Sequence, residues 1–358
     1  MKALVRLIGL AFLSGLAVLP AQAAFSSLYV FGDGVSSTTG GPGGATYYQK
    51  NYSNGRVWIE VLAQRQGVTF DASKNPSDEW NDSTTNLTFV SQFSAADANT
   101  SLFVVWCNDA DFVDDIQYGP YPSLDTIAWN NAINNSLNVH SSIISTLYAK
   151  GARTLIMPNA VDITKIPQFA YEQPLPSSDA AFIRQMVTNF NTGFAAMLNR
   201  ARAAYPDLTI YAPDIFTLLN NMLANPGSYG LVNPGYAALE NQSLSPWSLT
   251  GPGASYVFWD VYDPTAKAHE VLADITQQLI SQATISKLTS LNGSNRLDIA
   301  NIPIGLSGFV DGRTNLVLGT WTQMTNFASI SATQSIFVPT SRPQRFYRLR
   351  FPFVWSPP

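Results

Sequence analysis

Short apolar runs that alternate with longer amphipathic stretches constrain the fold of this chain more than any other feature. Continuously apolar runs of strand length, separated by helical periodicity, are typical of parallel strands that helices cover on both faces. The apolar runs lie at residues 27–31, 102–107, 154–157, 209–212 and 257–259, and the helical stretches at residues 56–66, 125–150, 181–204, 214–223 and 265–280. We therefore predict an α/β domain with a parallel sheet, in which Ser53 or Asn54 caps the first of these helices.

The predicted sheet also indicates where a ligand should bind. Open parallel sheets bind ligands beyond the carboxyl ends of their strands. In this chain those positions are residues 32–37, 108–112, 159–162, Asp214 and residues 260–265.

The pattern changes after about residue 284. Short β-type runs, separated by Gly, Asn, Ser and Pro, replace the helical periodicity. They lie at residues 297–304, 314–321, 329–338 and 345–351. We predict a small all-β module over residues 284–358 that folds independently, with residues 292–295 as a plausible linker.

The first 24 residues predict export. Lys2 and Arg6 precede an apolar run at residues 7–19, and Ala21-Gln22-Ala23 fits a cleavage site. We expect residues 1–24 to be a signal peptide and the mature protein to be secreted or periplasmic. No later stretch is apolar enough to span a membrane, so we expect no transmembrane segment.

Composition excludes several classes of function. The net charge of −4 argues against a nucleic-acid-binding protein, which normally has a basic face. One cysteine and two histidines exclude a Cys-rich zinc site and a His-rich metal site. We expect no cofactor and no metal. The oligomeric state is left open.

Three segments in order along the chain resemble the motifs of the SGNH, or GDSL-type, lipases and esterases. They are Phe-Gly-Asp-Gly-Val-Ser at residues 31–36, Val-Trp-Cys-Asn-Asp at 105–109 and Phe-Trp-Asp-Val-Tyr-Asp-Pro-Thr at 258–265. Weaker matches lie at residues 53–58, 151–159, 189–191 and 225–230. The resemblance covers residues 25–283. It implies a flavodoxin-like three-layer α/β/α sandwich, the SGNH hydrolase fold, and hydrolysis of carboxylic esters.

The resemblance also implies roles for single residues. Gly34 stands at the position of the nucleophilic serine, and Asp263 at the position of the histidine base. Asp260 keeps the position of the family's aspartate. The oxyanion-hole groups map to the Gly34 N–H, Gly55 and Asn108, whereas Trp106 replaces a glycine of the family motif.

These departures lead us to expect impaired catalysis. Acyl transfer needs a nucleophile and a base, and glycine has no side chain. The leading hypothesis is a protein that binds a small ester, acyl or glycan ligand. One alternative is a weak ester hydrolase that uses Ser36 or a carboxylate-activated water. Another is a structural or adhesive surface protein, since residues 314–321 and 345–350 resemble C-terminal β modules of secreted bacterial proteins.

We predict structural rather than catalytic roles for several other polar side chains. We expect Cys107 to be buried, His269 to face away from the cleft and His140 to be a surface or core-edge residue. We expect Asp33 to accept hydrogen bonds from loop amides and Asp263 to cap the following helix.

Overall fold

The computed structural model describes residues 25–315, 320–339 and 345–351, so the predicted signal peptide lies outside the described residues. Its first part is built on a four-stranded parallel sheet with strand order β1-β2-β3-β4. The two longer strands, β1 and β2, are completely buried, as their apolar sequences predict. They are β1 (Leu28–Gly32), β2 (Leu102–Trp106), β3 (Thr154–Ile156) and β4 (Thr209–Tyr211).

Helices form the outer layers and confirm the α/β prediction. α1 packs against α7, whereas α4 packs against both α2 and α5. The helices are α1 (Trp58–Gln66), α2 (Ser83–Gln92), α3 (Asn108–Gln117), α4 (Thr126–Ala149), α5 (Ser177–Ala204), α6 (Ile215–Ala224) and α7 (Ala266–Ile280). In the described part of the chain, no helix is both long enough and apolar enough to cross a membrane.

Two local predictions in this part are wrong. Residues 257–259 do not form a fifth strand, because Trp259 donates its N–H to the Asp263 carbonyl oxygen across a tight loop (2.8 Å). The first helix is not capped by Ser53 or Asn54. Instead, the Glu60 side chain accepts the Val57 N–H (2.9 Å), as an acid three residues into a helix often does.

The C-terminal part contains two three-stranded antiparallel sheets, with strand orders β5-β6-β9 and β10-β7-β8. They enclose a separate apolar core that includes Leu297, Val310 and Val338. The strands are β5 (Thr284–Leu291), β6 (Ser294–Ala300), β7 (Ser307–Arg313), β8 (Thr322–Ala328), β9 (Thr333–Pro339) and β10 (Phe346–Arg350).

Two predictions for this region are also wrong. Residues 292–295 are not a linker: residues 292–293 form the turn of the β5–β6 hairpin, where Gly293 has a φ of 82° that favours glycine, and residues 294–295 begin β6. Residues 314–315 and 320–321 lie between β7 and β8 and are not in a strand; residues 316–319 lie outside the described residues. The sequence pattern did not indicate β5, β7 or β8.

The two parts contact each other at the end of α1. The guanidinium of Arg65 donates to the carbonyl oxygen of Ile304, and the Ile304 N–H donates to the Arg65 carbonyl oxygen, both at 3.2 Å. The same guanidinium forms a buried ion pair with Asp274 of α7 (2.6 Å). Arg65 therefore joins α1, α7 and the β strands of the C-terminal part.

Candidate functional site

A cavity of about 100 Å³ lies at the carboxyl ends of the parallel strands. This volume is several times the ~10–15 Å³ that a single water molecule needs. The loops after β1, β2, β3 and β4 all contribute to its wall, as expected for a parallel sheet. The wall comprises Asp33, Gly34, Val35, Glu79, Trp80, Trp106, Asp109, Ala110, Val113, Val161, Ile163, Ile166, Ile215, Leu218, Leu219, Met222, Phe258, Tyr262, Asp263, Pro264, Ala268 and Leu272.

Gly34 and Asp263 face each other in this wall. Gly34 begins a single 3₁₀ turn directly after β1, and Asp33 caps that turn by accepting the Val35 N–H (3.2 Å), as predicted. A Cβ atom on Gly34 would lie 3.6 Å from Oδ1 of Asp263 and 3.2 Å from Cα of Glu79. The structure thus brings together the two positions that the family motifs assign to nucleophile and base.

Asp260 shapes the loop that carries Asp263. Its Oδ1 accepts the N–H groups of Tyr262 (3.0 Å) and Asp263 (2.8 Å), and its Oδ2 accepts the Tyr47 hydroxyl (3.0 Å). Asp263 does not cap α7, contrary to the prediction. Thr265 does so, because its hydroxyl oxygen is the one that accepts the Ala268 N–H (3.3 Å).

Four carboxyl groups line one end of the cavity, which we call the acidic end: Asp33, Glu79, Asp109 and Asp263. Burial raises the pKa of each group. Like charges add to this effect, since the Asp109 carboxylate raises the pKa of Asp33, and Asp260, Asp33 and Glu79 raise that of Asp263. A charge on any one of these groups is therefore disfavoured by the others.

The acidic end contains two buried oxygen atoms that lack hydrogen bonds. Oδ1 of Asp33 and Oδ1 of Asp109 accept backbone N–H groups from Val35 and Val161. The Oδ2 atom of each is buried without a hydrogen-bond partner among the described residues. Buried acceptors are normally paired, and the indole N–H of Trp106 on the same cavity wall is likewise buried without a hydrogen bond among the described residues.

Gly55 and Asn108, the two remaining predicted oxyanion-hole residues, do not line the cavity. Asn108 is fully buried at the start of α3, and its side-chain amide donates to the Pro158 carbonyl oxygen (2.9 Å). Gly55 packs on α7, where a Cβ atom would lie 2.6 Å from that of Ala266. Their role in ligand binding stays a prediction.

Trp106, which replaces a glycine of the family motif, occupies part of the space beside Asn108. Its indole ring packs edge-on against Trp58, with the ring centroids 5.5 Å apart, and also lines the cavity. It occupies space that a glycine would leave open. Asp109, rather than the preceding asparagine, lines the cavity next to it.

The structure excludes Ser36 as a stand-in nucleophile. Ser36 is fully buried and does not line the cavity. Its hydroxyl oxygen accepts the indole N–H of Trp58 (3.0 Å), and its side chain lies next to Gly32. This orientation turns the hydroxyl toward the core.

The cysteine and both histidines are also core residues. Cys107 is buried as predicted, burial raises the pKa of its thiol, and its Sγ lies 3.6 Å from Nε2 of His140. His140 is fully buried, so the surface or core-edge prediction is wrong. His269 is buried outside the cavity wall, as its helical position predicts, and burial lowers its pKa to about 3.

Sequence reasoning missed Glu79 and Asp109 as cavity residues. Asp109 follows Asn108 directly in the second motif, so its position could have drawn attention. Glu79 lies in an irregular segment between a single 3₁₀ turn at residues 72–74 and α2. No periodicity in this segment indicates which side chains face a cavity.

Comparisons with known proteins agree with this architecture. The family model of GDSL-like lipases/acylhydrolases matches residues 28–276. A phosphatidylcholine-sterol acyltransferase of Aeromonas hydrophila is 25% identical over 322 residues, covering 82% of this chain and 82% of that protein. Two GDSL esterase/lipases of Arabidopsis thaliana are 28% and 30% identical over 145 residues. These two matches cover 37% and 38% of this chain, and 39% and 40% of the plant proteins, so the chain spans about two fifths of their length.

Proposed function

The chain belongs to the GDSL-like lipase/acylhydrolase family, and we propose that it is an exported member that binds an ester or acyl ligand with little or no hydrolysis. Export is proposed because residues 1–24 have the charge, apolar run and cleavage pattern of a signal peptide. The loss of hydrolysis is proposed from the cavity wall.

One observation carries this proposal. The described residues that line the cavity include no serine, threonine, cysteine, histidine or lysine. Ester hydrolysis by the family's route needs a nucleophile and a base that takes its proton. At positions 34 and 263, where these groups would face each other, the chain has glycine and aspartate.

The shape and chemistry of the wall favour an acyl ligand over a glycan. Most of the wall is aliphatic or aromatic, which suits a hydrocarbon chain. The relatives' names refer to esterases, lipases and an acyltransferase. The open volume supports ligand binding rather than a purely structural or adhesive role, because side chains do not fill the cleft.

A second candidate function is slow hydrolysis by a carboxylate-activated water. The raised pKa values of Asp109 and Asp263 favour it, because a carboxylate whose pKa lies closer to neutrality is a stronger general base. Such an enzyme would not form a covalent acyl intermediate with a serine.

The catalytic part of the proposal is tested with a fluorophosphonate probe and with p-nitrophenyl butyrate. We expect no labelling and no hydrolysis above the uncatalysed rate. Hydrolysis that Asp263→Asn abolishes and Ser36→Ala leaves unchanged would support the water-activating candidate instead. Stoichiometric labelling of the purified protein would contradict both.

The binding part is tested by calorimetric titration with methyl hexanoate. Leu219→Trp, which fills the apolar part of the cavity, should weaken binding at least tenfold. Leu288→Trp makes the same change at an exposed position in the C-terminal part and should have no effect. If the unchanged protein does not bind the ester at millimolar concentration, the binding proposal is wrong.

A further inference from the structure

The acidic end of the cavity lacks balancing positive charge. No described arginine, lysine or histidine lines the cavity wall, although four carboxyl groups do. Two of these residues lie beside Gly34, since a Cβ atom there would be 3.6 Å from Oδ1 of Asp263 and 3.2 Å from Cα of Glu79. All four line the space that a ligand would enter.

The two orphaned oxygen atoms point to what this end binds. Oδ2 of Asp33 and Oδ2 of Asp109 are buried acceptors without partners among the described residues, and both residues line the cavity. A buried acceptor without a donor destabilises a protein, and it does so more strongly when it is charged. An occupant with positive charge would relieve this cost.

Aromatic rings at the same end suit an organic cation. Trp80 follows Glu79 in the chain, and Tyr262 precedes Asp263. The two rings pack edge to face with their centroids 6.4 Å apart. Trp80 is 51% exposed at the cavity wall. Aromatic faces attract ammonium groups, most strongly where water is excluded.

Most of the remaining cavity wall is apolar, and we call this part the apolar wall. It includes Ile163, Ile166, Leu218, Leu219 and Met222. An amphiphile suits both parts, whereas a hydrated inorganic cation or a neutral chain suits only one. We infer that the cavity binds a ligand with an ammonium group at the acidic end and a short hydrocarbon chain along the apolar wall. This inference rests on the proposed ligand-binding function.

Protonation of the four carboxyl groups should weaken the preference for a ligand with an ammonium group. The four carboxyl groups are surrounded by acids and phenols, namely Tyr47, Tyr52, Asp78, Asp111, Asp260 and Tyr262. Because the pKa values of the four carboxyl groups are raised, lowering the pH toward 5.5 adds protons to them. The attraction for a permanent cation should therefore be stronger at pH 8 than at pH 5.5.

The test compares three ligands with the same chain: hexyltrimethylammonium, 1-hexanol and hexanoate. By calorimetry at pH 8, we expect the ammonium compound to bind at least tenfold more tightly than the alcohol, and hexanoate to bind most weakly. The preference should shrink at least threefold at pH 5.5. This pH comparison uses the unchanged protein, so it does not depend on the folding of any variant.

Variants then locate the cation. Asp109→Asn and Asp263→Asn should each reduce the preference for the ammonium compound, with little effect on hexanol affinity. Asp125→Asn, which changes an exposed carboxylate outside the cavity wall where asparagine can still cap α4, is the matched control and should leave the preference intact.

The outcomes separate this inference from the proposed function. Equal affinity for hexyltrimethylammonium and hexanol would overturn the cation inference but leave apolar-ligand binding in place. CaCl₂ that competes with the ammonium compound at micromolar concentration would assign the acidic end to a metal ion and overturn the inference. Failure of all three hexyl ligands and of methyl hexanoate to bind would overturn the proposed function itself.

Discussion

A carboxylate at position 263 changes the charge of the cavity as well as its chemistry. An imidazole there would be neutral or positive, whereas Asp263 is neutral when protonated and negative when ionised, and burial beside Asp33 and Glu79 raises its pKa. The sequence motifs were sufficient to predict that positions 34 and 263 lie together. They could not predict the acidic end, because Glu79 approaches Gly34 from an irregular segment that no motif marks.

Restoring both missing groups should restore some activity. The Cβ atom of Gly34→Ser would lie 3.6 Å from the side chain at position 263, so Asp263→His could take the serine proton. We expect the double variant to hydrolyse p-nitrophenyl butyrate measurably, and each single variant to remain at the parent rate, because the two residues act as a unit.

The activity of the double variant should still be low. The Asn108 amide donates to Pro158, and Gly55 is outside the cavity wall. A missing oxyanion-hole donor typically costs a factor of about 10²–10³ in rate. A folded double variant with no gain at all would indicate that the Glu79 backbone, 3.2 Å from the new Cβ, blocks the serine.

Asp263→Asn should stabilise the fold at alkaline pH. Burial and neighbouring carboxylates raise the pKa of Asp263 above the ~3.9 of an unfolded chain, so the folded state holds its proton more tightly. The group therefore lowers the free energy of unfolding as the pH rises from about 4 through its folded-state pKa. We expect Asp263→Asn to raise stability by about 1–3 kcal/mol at pH 8 and by little at pH 4.

Urea unfolding at both pH values measures this difference. Asp125→Asn, at an exposed helix-capping site outside the cavity wall, should change stability by less than ~0.5 kcal/mol at either pH. Equal stability changes for Asp263→Asn at pH 4 and pH 8 would mean that its carboxyl group does not titrate differently in the folded protein.

At the scale of elements, periodicity predicted the four parallel strands and most helices because burial determines both. β1 and β2 are buried along their whole length, and the long helices α4 and α5 have regular apolar stripes. The exceptions have local causes. Residues 257–259 are apolar yet bond to their own loop, and β5, which is mostly exposed, lacks the apolar pattern of a buried strand.

Gly55 connects the loop before α1 to the start of α7, and a substitution there tests this contact. It contacts Ala266 at the start of α7, and its neighbours Ser53 and Asn54 bond to the backbone of Pro264 and Ala266. Gly55→Ala places a Cβ atom 2.6 Å from that of Ala266, so α7 or the loop must move. We expect a loss of about 1–3 kcal/mol in urea unfolding, as for other overpacked sites.

The matched control for this change is Gly227→Ala. A Cβ atom on Gly227 would meet no atom within 4 Å, and its backbone is not in the left-handed region. Its stability should change by less than ~0.5 kcal/mol. Similar losses for both variants would show that the cost comes from removing glycine rather than from the contact with α7.

At the scale of the whole molecule, the chain has two apolar cores that meet at the end of α1. The change from helical periodicity to short β-type runs near residue 284 predicted the second region, and β5 begins at Thr284. The contact between the regions was not predictable, because it uses backbone groups of Ile304 and a buried Arg65, neither of which has a sequence signature.

A fragment of residues 25–282 should fold cooperatively but melt at a lower temperature than the same region in the full chain. Without the C-terminal strands, Arg65 loses both hydrogen bonds to Ile304, and its buried ion pair with Asp274 becomes exposed to water. Each bond contributes about 1 kcal/mol, and 1 kcal/mol shifts the melting temperature by about 2–4 °C at this size. Scanning calorimetry should therefore show a decrease of roughly 5–10 °C. An insoluble fragment would mean that the two cores form one folding unit, and an unchanged melting temperature would mean that the Arg65 contacts contribute nothing to stability.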